Sequence, residues 1–265
     1  MICDFSAVAF SVFEFPIHWY SLAYIFEIII ALKLTEKFFA KSHYEEGLRY
    51  TDEFISYIVF GIIIGGRLGH VLFYDFDFYF HNPIEIVKVW HGGMSFFGGF
   101  LGIAMSTFLF CKKNQIDFWR FIDIWAVSVP IGLFFGRIAN FINGELLGKA
   151  TDSISWFVVF NDGIPRHPSQ IYEAILEGIV LFAIMLFAFY KKQYNFRGKL
   201  SGIFCSGYGF FRFIGELFRE PDSLFSHRLY FQTGINLNQY MCFALIALGI
   251  FLIYRSDIND SSEAN

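Results

Sequence analysis

Apolar residues recur in stretches of about twenty, at 17–36, 54–74, 92–111, 118–137, 169–190, 201–219 and 236–254, with short polar connections between them. Each stretch matches the roughly 20 helical residues that cross about 30 Å of hydrocarbon. A continuous helix also satisfies its own backbone hydrogen bonds there, which an irregular chain cannot do. The pattern therefore predicts an all-α, polytopic membrane protein of about seven transmembrane helices, forming a single transmembrane domain over residues 1–265. Basic residues orient it. Lys33, Lys37, Lys41 and Arg49 share one connection, Lys112, Lys113 and Arg120 the next on that side, and Lys191, Lys192, Arg197 and Lys199 the third. The intervening connections are poorer, with Lys88 in one and Arg219 and Arg228 in another, so the N-terminus is expected outside and the C-terminus inside. The outer connection 138–168 is long enough to fold, and its residues 144–168 are expected to form a small periplasmic head.

Polar residues interrupt the stretches in a pattern of their own. Tyr20, Tyr24 and Glu27 fall on one face of the first helix, and Gln170, Glu173 and Glu177 on one face of the fifth. Arg67, His70 and Tyr74 close the second, beyond a stripe of Gly61, Gly65 and Gly69 that reads as a close helix contact. The third opens with His91 and two glycine pairs, at 92–93 and 98–99. Arg137 and Asn140 end the fourth, and Tyr208, Arg212, Glu216 and Arg219 run along one face of the sixth. Nearly all of these costly groups lie toward the outer half of the bilayer, and intramembrane charge marks function by default. One i,i+4 pair such as Arg212 with Glu216 has a purely structural explanation. Five helices biased to one depth point instead to a polar cavity.

Composition narrows the class without naming a reaction. A chain of 265 residues with 55% hydrophobic content and mean hydropathy +0.49 is too apolar for a water-soluble domain. The 38 phenylalanines read as compositional bias within the helices. Cys3, Cys111, Cys205 and Cys242 have no paired or metal-ligand spacing, so neither a disulfide framework nor a metal site is expected. A net charge of −4 with no basic tract gives no footprint for nucleic acid. No cleavable leader is expected, because Asp4 and Glu14 precede the first apolar run without a basic segment.

Several arginines against few carboxylates suggest an anion from outside the chain, and the abundant membrane anion is a phospholipid phosphate. Arginine matches phosphate through two parallel hydrogen bonds, and Asn140 or Asn143 can add others. The motifs that carry these residues are His18-Trp-Tyr20, Gly66-Arg-Leu-Gly69, Gly92-Gly-Met-Ser-Phe96, the block 136–145 reading Gly-Arg-Ile-Ala-Asn-Phe-Ile-Asn-Gly-Glu, Arg166-His-Pro-Ser-Gln170 with Tyr172-Glu173, and Arg212, Glu216 and Arg219 with Pro221-Asp222. In this order, and nearly end to end, the chain resembles the prolipoprotein diacylglyceryl transferases of bacterial cytoplasmic membranes.

That resemblance implies a multi-pass enzyme moving the diacylglyceryl group of phosphatidylglycerol to the lipobox cysteine thiol of a prolipoprotein signal peptide, the first step of lipoprotein maturation. Its partners would be those two substrates and the surrounding lipids, with no cofactor. It implies catalytic roles for Tyr20, Asn140, Glu145, Arg212 and Glu216, and substrate binding by Arg137, Gly148, His18, Arg67 and Arg219. One position departs from the family pattern: Phe97 stands where a histidine is usual. Phenylalanine neither accepts a proton nor donates a hydrogen bond. Either a neighbour replaces it, with His91 and His70 as candidate bases beside His18, Tyr20 and Glu145, or transfer is slow or lost. The competing reading is a non-catalytic anionic-lipid binder or a transporter on the same fold. Against it, the stretches show no two-fold internal repeat, and the polar residues stop in the outer half.

Overall fold

The structure, a computed structural model, describes residues 8–12, 15–220 and 233–263. The expectations for Pro221, Asp222 and Arg228 lie outside the described residues, as do those for the side chains of His18, Tyr20 and Tyr24. A short hairpin of β1 (Val8–Val12) and β2 (Phe15–His18) leads into helix α1 (Trp19–Lys41). There follow α2 (Glu45–Arg49), α3 (Thr51–Phe73), α4 (Phe76–His81), two 3-10 turns (Pro83–Val87 and Val89–His91), α5 (Phe96–Asn114) and α6 (Phe118–Asn143). After the two-residue strands β3 (Val158–Val159) and β4 (Pro165–Arg166) come α7 (Ser169–Glu173), a π-helical segment (Ala174–Val180), α8 (Leu181–Tyr190), α9 (Lys199–Phe218) and α10 (Leu237–Glu263). The chain is thus mostly helical. Four spans among the described residues are long and apolar enough to cross a membrane: Thr51–Phe73, Phe118–Asn143, Ser169–Tyr190 and Leu237–Ile258. The chain is a helical membrane protein. The contacts define two compact units, Phe38–Ile122 and a second made of Met1–Lys37 with Asp123–Asn265.

In the unit Phe38–Ile122 the glycine stripe does what its spacing predicted. A Cβ on Gly69 would meet Gly98 Cα at 2.6 Å, and one on Gly65 would meet Gly102 Cα at 2.7 Å, so α3 and α5 touch backbone to backbone. At the other end of this pair Phe39, Phe54, Phe110 and Phe121 are buried together, with ring centroids 4.9–5.7 Å apart across the Phe54–Phe121, Phe54–Phe110, Phe39–Phe121 and Phe110–Phe121 contacts. Some of the phenylalanine excess is therefore a packed aromatic core.

In the other unit, α9 and α10 make a second close pair through Gly202, Gly209 and Gly249, which the sequence reading did not single out. The start of α9 is fixed by a buried carboxylate on α6. Asp123 accepts from Gly198 N at 2.7 Å, Ser201 N at 2.8 Å and Ser201 Oγ at 2.6 Å. These occupy donors that a helix N-terminus leaves unpaired, and the negative charge suits the helix dipole.

The segment expected to form a head is tied to the end of α9. Gly148 bridges to Arg219, Lys149 N donates to Phe218 O at 2.8 Å, and Glu220 N donates to Leu147 O at 3.1 Å. Val158 and Phe160 form its small core against Phe141 and Leu147. Arg166 clasps it, donating to Gly148 O at 2.9 Å, to Glu220 Oε1 at 2.6 Å and to Asp162 Oδ2 at 2.6 Å.

Candidate functional site

Three helices deliver an interlocked set of charges within one unit. Arg137 comes from the last two turns of α6, Glu173 and Glu177 from α7 and its π-helical continuation, and Arg212 and Glu216 from α9, with Arg219 at the end of α9. Arg137 Nε lies 3.0 Å from Glu173 Oε2, and its Nε and Nη2 donate to Glu177 Oε2 at 3.1 and 3.0 Å. Arg212 Nη1 lies 2.9 Å from Glu173 Oε1 and 3.6 Å from Glu177 Oε1, while its Nη2 meets Glu216 Oε1 closely. Arg219 Nη1 approaches Glu173 Oε1 at 3.6 Å. Asn236 and Asn238, beside the start of α10, donate to Glu216 at 3.0 and 3.2 Å.

The charge balance corrects the sequence expectation. Arginines were expected to outnumber carboxylates, yet in this cluster three arginines meet three glutamates, and Glu173 and Glu177 are fully buried. Removing one partner would strand a buried charge at about 3–5 kcal/mol. Glu173 and Glu177, with the asparagines 236 and 238, are the residues that sequence reasoning left out of the site. The signal existed in the i, i+3, i+7 placement of Gln170, Glu173 and Glu177, but nothing local linked that face to Arg137. Balance still leaves a donor: Arg137 Nη1 has no partner among the described residues.

The turn after α6 arranges the next group. Gly144 at φ +65° and Leu146 at φ +56° reverse the chain, the latter in a conformation that costs a side-chain-bearing residue of order 1–3 kcal/mol. The reversal brings exposed Glu145 back onto its own helix, where Asn140 Nδ2 and Asn143 Nδ2 donate to its carboxylate at 3.2 and 3.3 Å. Gln170 Nε2 fixes the turn by donating to Glu145 O at 2.6 Å. Gly148 has a packing reason to be glycine. A Cβ there would stand 3.0 Å from the carbonyl carbon of His167 and closer still to its oxygen.

Arg67 is satisfied in a different way. Only 3% exposed, it lies in the unit Phe38–Ile122 and surrounds itself with backbone carbonyls. It donates to Glu85 O at 2.5 Å, Ile86 O at 2.9 Å, Lys88 O at 3.1 Å and Gly93 O at 3.2 Å, and also closely to Gly92 O. Its guanidinium lies 4.9 Å from the Tyr79 ring centroid. Arg67 thus clamps the 85–93 connection, with the donors of all three nitrogens engaged by main-chain carbonyls. In the same unit, His91 Nδ1 lies 2.9 Å from Glu85 Oε2, and His70 Nε2 lies 3.6 Å from Asp75 Oδ2 while stacking on Tyr74. Phe97 opens α5 beside Ser95, whose Oγ accepts from Gly98 N at 3.2 Å as the helix cap.

Buried arginine and glutamate held on apolar helices define a membrane protein with an ionic site among its spans, and comparison with known proteins gives that class a family. The model of the family described as "Prolipoprotein diacylglyceryl transferase" matches residues 7–255. The chain is 44% identical over 270 residues to the phosphatidylglycerol–prolipoprotein diacylglyceryl transferase of Ehrlichia canis (strain Jake), covering 98% of each chain. It is 42% identical over 257 residues to the protein of that name from Rickettsia bellii (strain OSU 85-389), covering 96% of each. With that of Rickettsia canadensis (strain McKiel) it shares 43% over 258 residues, covering 96% of this chain and 98% of the relative. The chain belongs to the prolipoprotein diacylglyceryl transferase family, whose members are transferases.

Proposed function

We propose that this protein transfers the diacylglyceryl group of phosphatidylglycerol to the lipobox cysteine thiol of bacterial prolipoproteins, in the cytoplasmic membrane. In that reaction the thiol sulfur forms a thioether with the glyceryl carbon, the carbon–oxygen bond to phosphate breaks, the thiol proton leaves and glycerol phosphate departs. The observation that carries the reading is Arg137, held through Nε and Nη2 by Glu173 and Glu177 with Nη1 left over. A guanidinium anchored on one edge is preorganised to meet phosphate with the other, where a fixed donor counts for most. Arg212 and Glu216 complete the ionic frame, and Arg219 adds a third cation at its rim. Asn140 and Glu145 stand at the mouth, with Glu145 exposed and able to take a proton. Tyr20 and His18 are assigned to the same site through the family resemblance.

The topology proposed with it has α1, α5 and α9 as three further membrane crossings, the N-terminus outside, the C-terminus inside, and residues 144–168 as a periplasmic head that meets the emerging precursor. The test is direct. Purified protein in detergent, given phosphatidylglycerol and a lipobox peptide, is expected to add one diacylglyceryl mass to the peptide's cysteine, and to release glycerol phosphate in equal amount. Phosphatidylglycerol binding without any adduct would favour a non-catalytic lipid binder instead.

A further inference from the structure

Within the unit Phe38–Ile122, the connection that leaves α3 comes back alongside it. Ser95 N donates to Gly66 O at 2.8 Å, and a Cβ on Gly93 would stand 2.7 Å from His70 Cδ2. Gly66 is seven residues before the end of α3, about 10 Å down the helix. At 23 residues α3 is about 34 Å long, little more than the roughly 30 Å of hydrocarbon it is fitted to cross, so its stretch from Gly66 to His70 lies inside the bilayer. The irregular backbone beside it is therefore at membrane depth, where water cannot satisfy main-chain groups. Arg67 does so instead. Its five N–H donors meet five main-chain carbonyls one for one: Nε with Ile86, Nη1 with Gly92 and Gly93, and Nη2 with Glu85 and Lys88. The charged side chains of the segment are satisfied among themselves, Lys88 and His91 both meeting Glu85, at 2.5 and 2.9 Å.

With its carbonyls caged, the segment turns apolar side chains outward. Phe76 and Phe80 stack one turn apart on α4 with ring centroids 6.0 Å apart, and Phe80, Ile84, Val87 and Trp90 are 71%, 69%, 68% and 73% exposed. The exposed face of α3 ends in Leu72 and Phe73, and Phe76 follows three residues later, so this surface continues that of the span. Tyr79 turns the other way, buried over Arg67, and Asp77 and His81 form a separate polar stripe on α4. A loop bound for water would leave its carbonyls to water and would not carry an exposed apolar patch of this extent. We propose that residues 76–90 are a re-entrant membrane segment, which turns back into the leaflet at the Phe73 end of α3 and buries Phe76, Phe80, Ile84, Val87 and Trp90 among its acyl chains. Arg67 is the donor set that lets irregular backbone stay there. Trp90, an apolar ring with one N–H, suits the boundary of that leaflet. This surface goes beyond diacylglyceryl transfer and does not depend on it.

The test measures depth. In a Cys3→Ser background, where Cys111, Cys205 and Cys242 are buried, Phe80→Cys, Val87→Cys and Asp77→Cys each receive a nitroxide label, and the full chain is placed in vesicles of phosphatidylcholine and phosphatidylglycerol. Collisions with oxygen, which concentrates in hydrocarbon, are compared with collisions with a polar nickel chelate. The oxygen-to-nickel ratio is expected to be at least about tenfold higher at positions 80 and 87 than at 77, because a polar chelate is excluded from an apolar medium. Labels at 80 and 87 no less open to nickel than the one at 77 overturn the proposal. Exclusion of both reagents from 80 and 87 overturns it too, since a protein partner such as the precursor peptide would then cover the patch instead of lipid. Arg67→Ala is expected to lower the ratio at 87 toward that at 77, and Arg67→Lys, with fewer donors, to restore only part of it. A parental ratio in Arg67→Ala would refute the part given to Arg67. The labels in protein with Arg67 intact decide the depth of the segment even if that variant folds poorly.

Discussion

Arg67 and Arg212 are buried to nearly the same degree, 3% and 6% exposed, yet the two units satisfy them in opposite ways. Arg67 is wrapped by backbone carbonyls, which take its hydrogen bonds but leave its charge in place. Arg212 is met by three carboxylates, which cancel its charge and bind it to two other arginines through shared partners. A carbonyl cage fixes a loop. A carboxylate network can respond to an incoming anion, because each guanidinium already shares its partners and an added phosphate redistributes contacts instead of creating a first one. Burial and residue type alone therefore do not distinguish these two arginines; the chemistry of their acceptors does.

The largest effect that would break this contrast is at the network. Arg137→Ala and Arg212→Ala are each expected to lower diacylglyceryl transfer at least about 100-fold, with lysine rescuing poorly for want of a second parallel donor. Near-parental transfer by both alanine variants, in protein shown to insert normally, would remove the network from the chemistry. Arg67→Ala should act on a different axis. It is expected to cost about 3 kcal/mol of stability through several lost charged hydrogen bonds, seen as a lowered melting temperature in detergent and faster proteolysis between 85 and 93, with KM for phosphatidylglycerol changed less than tenfold. A lipid-binding defect larger than the stability loss would return Arg67 to the substrate.

Smaller still, and sharper, is the question of whether the carbonyl-clamped unit takes part in proton transfer. Phe97→His is expected to alter the rate little if His70 or His91 already serves, and in that case the alanine variant of the serving histidine should lose transfer across pH 6–8. A much faster Phe97→His enzyme with both alanine variants unaffected would mean that neither histidine replaces the missing one. The smallest effect is expected in the segment after α6. Burial alone would raise the Asp162 carboxyl, but donation from Ile164 N and from Arg166 holds it below the ordinary value of 3.8. Its contribution to stability is therefore present above about pH 4 and lost as the pH falls through its lowered value. Asp162→Asn should make protease resistance of the 148–166 segment independent of pH below 4, while leaving it slightly lower at pH 7.

The sequence carried the local part of this architecture. Gly61, Gly65 and Gly69 announce a close contact because a stripe of small residues on an apolar helix has few other uses, and the one-face spacing of Arg212 and Glu216 survives intact. What it hid was long-range pairing. Nothing near Arg137 reveals that its carboxylates lie on α7 and the segment after it, and nothing in 174–180 announces a π-helix, which has no residue signature. The surroundings of Arg67 were hidden for the same reason: its acceptors are main-chain carbonyls, which every residue possesses and no side-chain pattern displays.

The pairing of Arg137 with Glu177 also sets a problem of timing. The two residues are 40 positions apart, and Asp123 waits 78 for Ser201. At roughly 5–20 residues per second, α6 leaves the ribosome about 2–8 s before Glu177 is made. During that interval Arg137, near one end of α6, has neither of the carboxylates with which it will pair. An unpaired guanidinium on an apolar helix is costly in lipid, so α6 suits the bilayer less well before Glu173 and Glu177 are made than after.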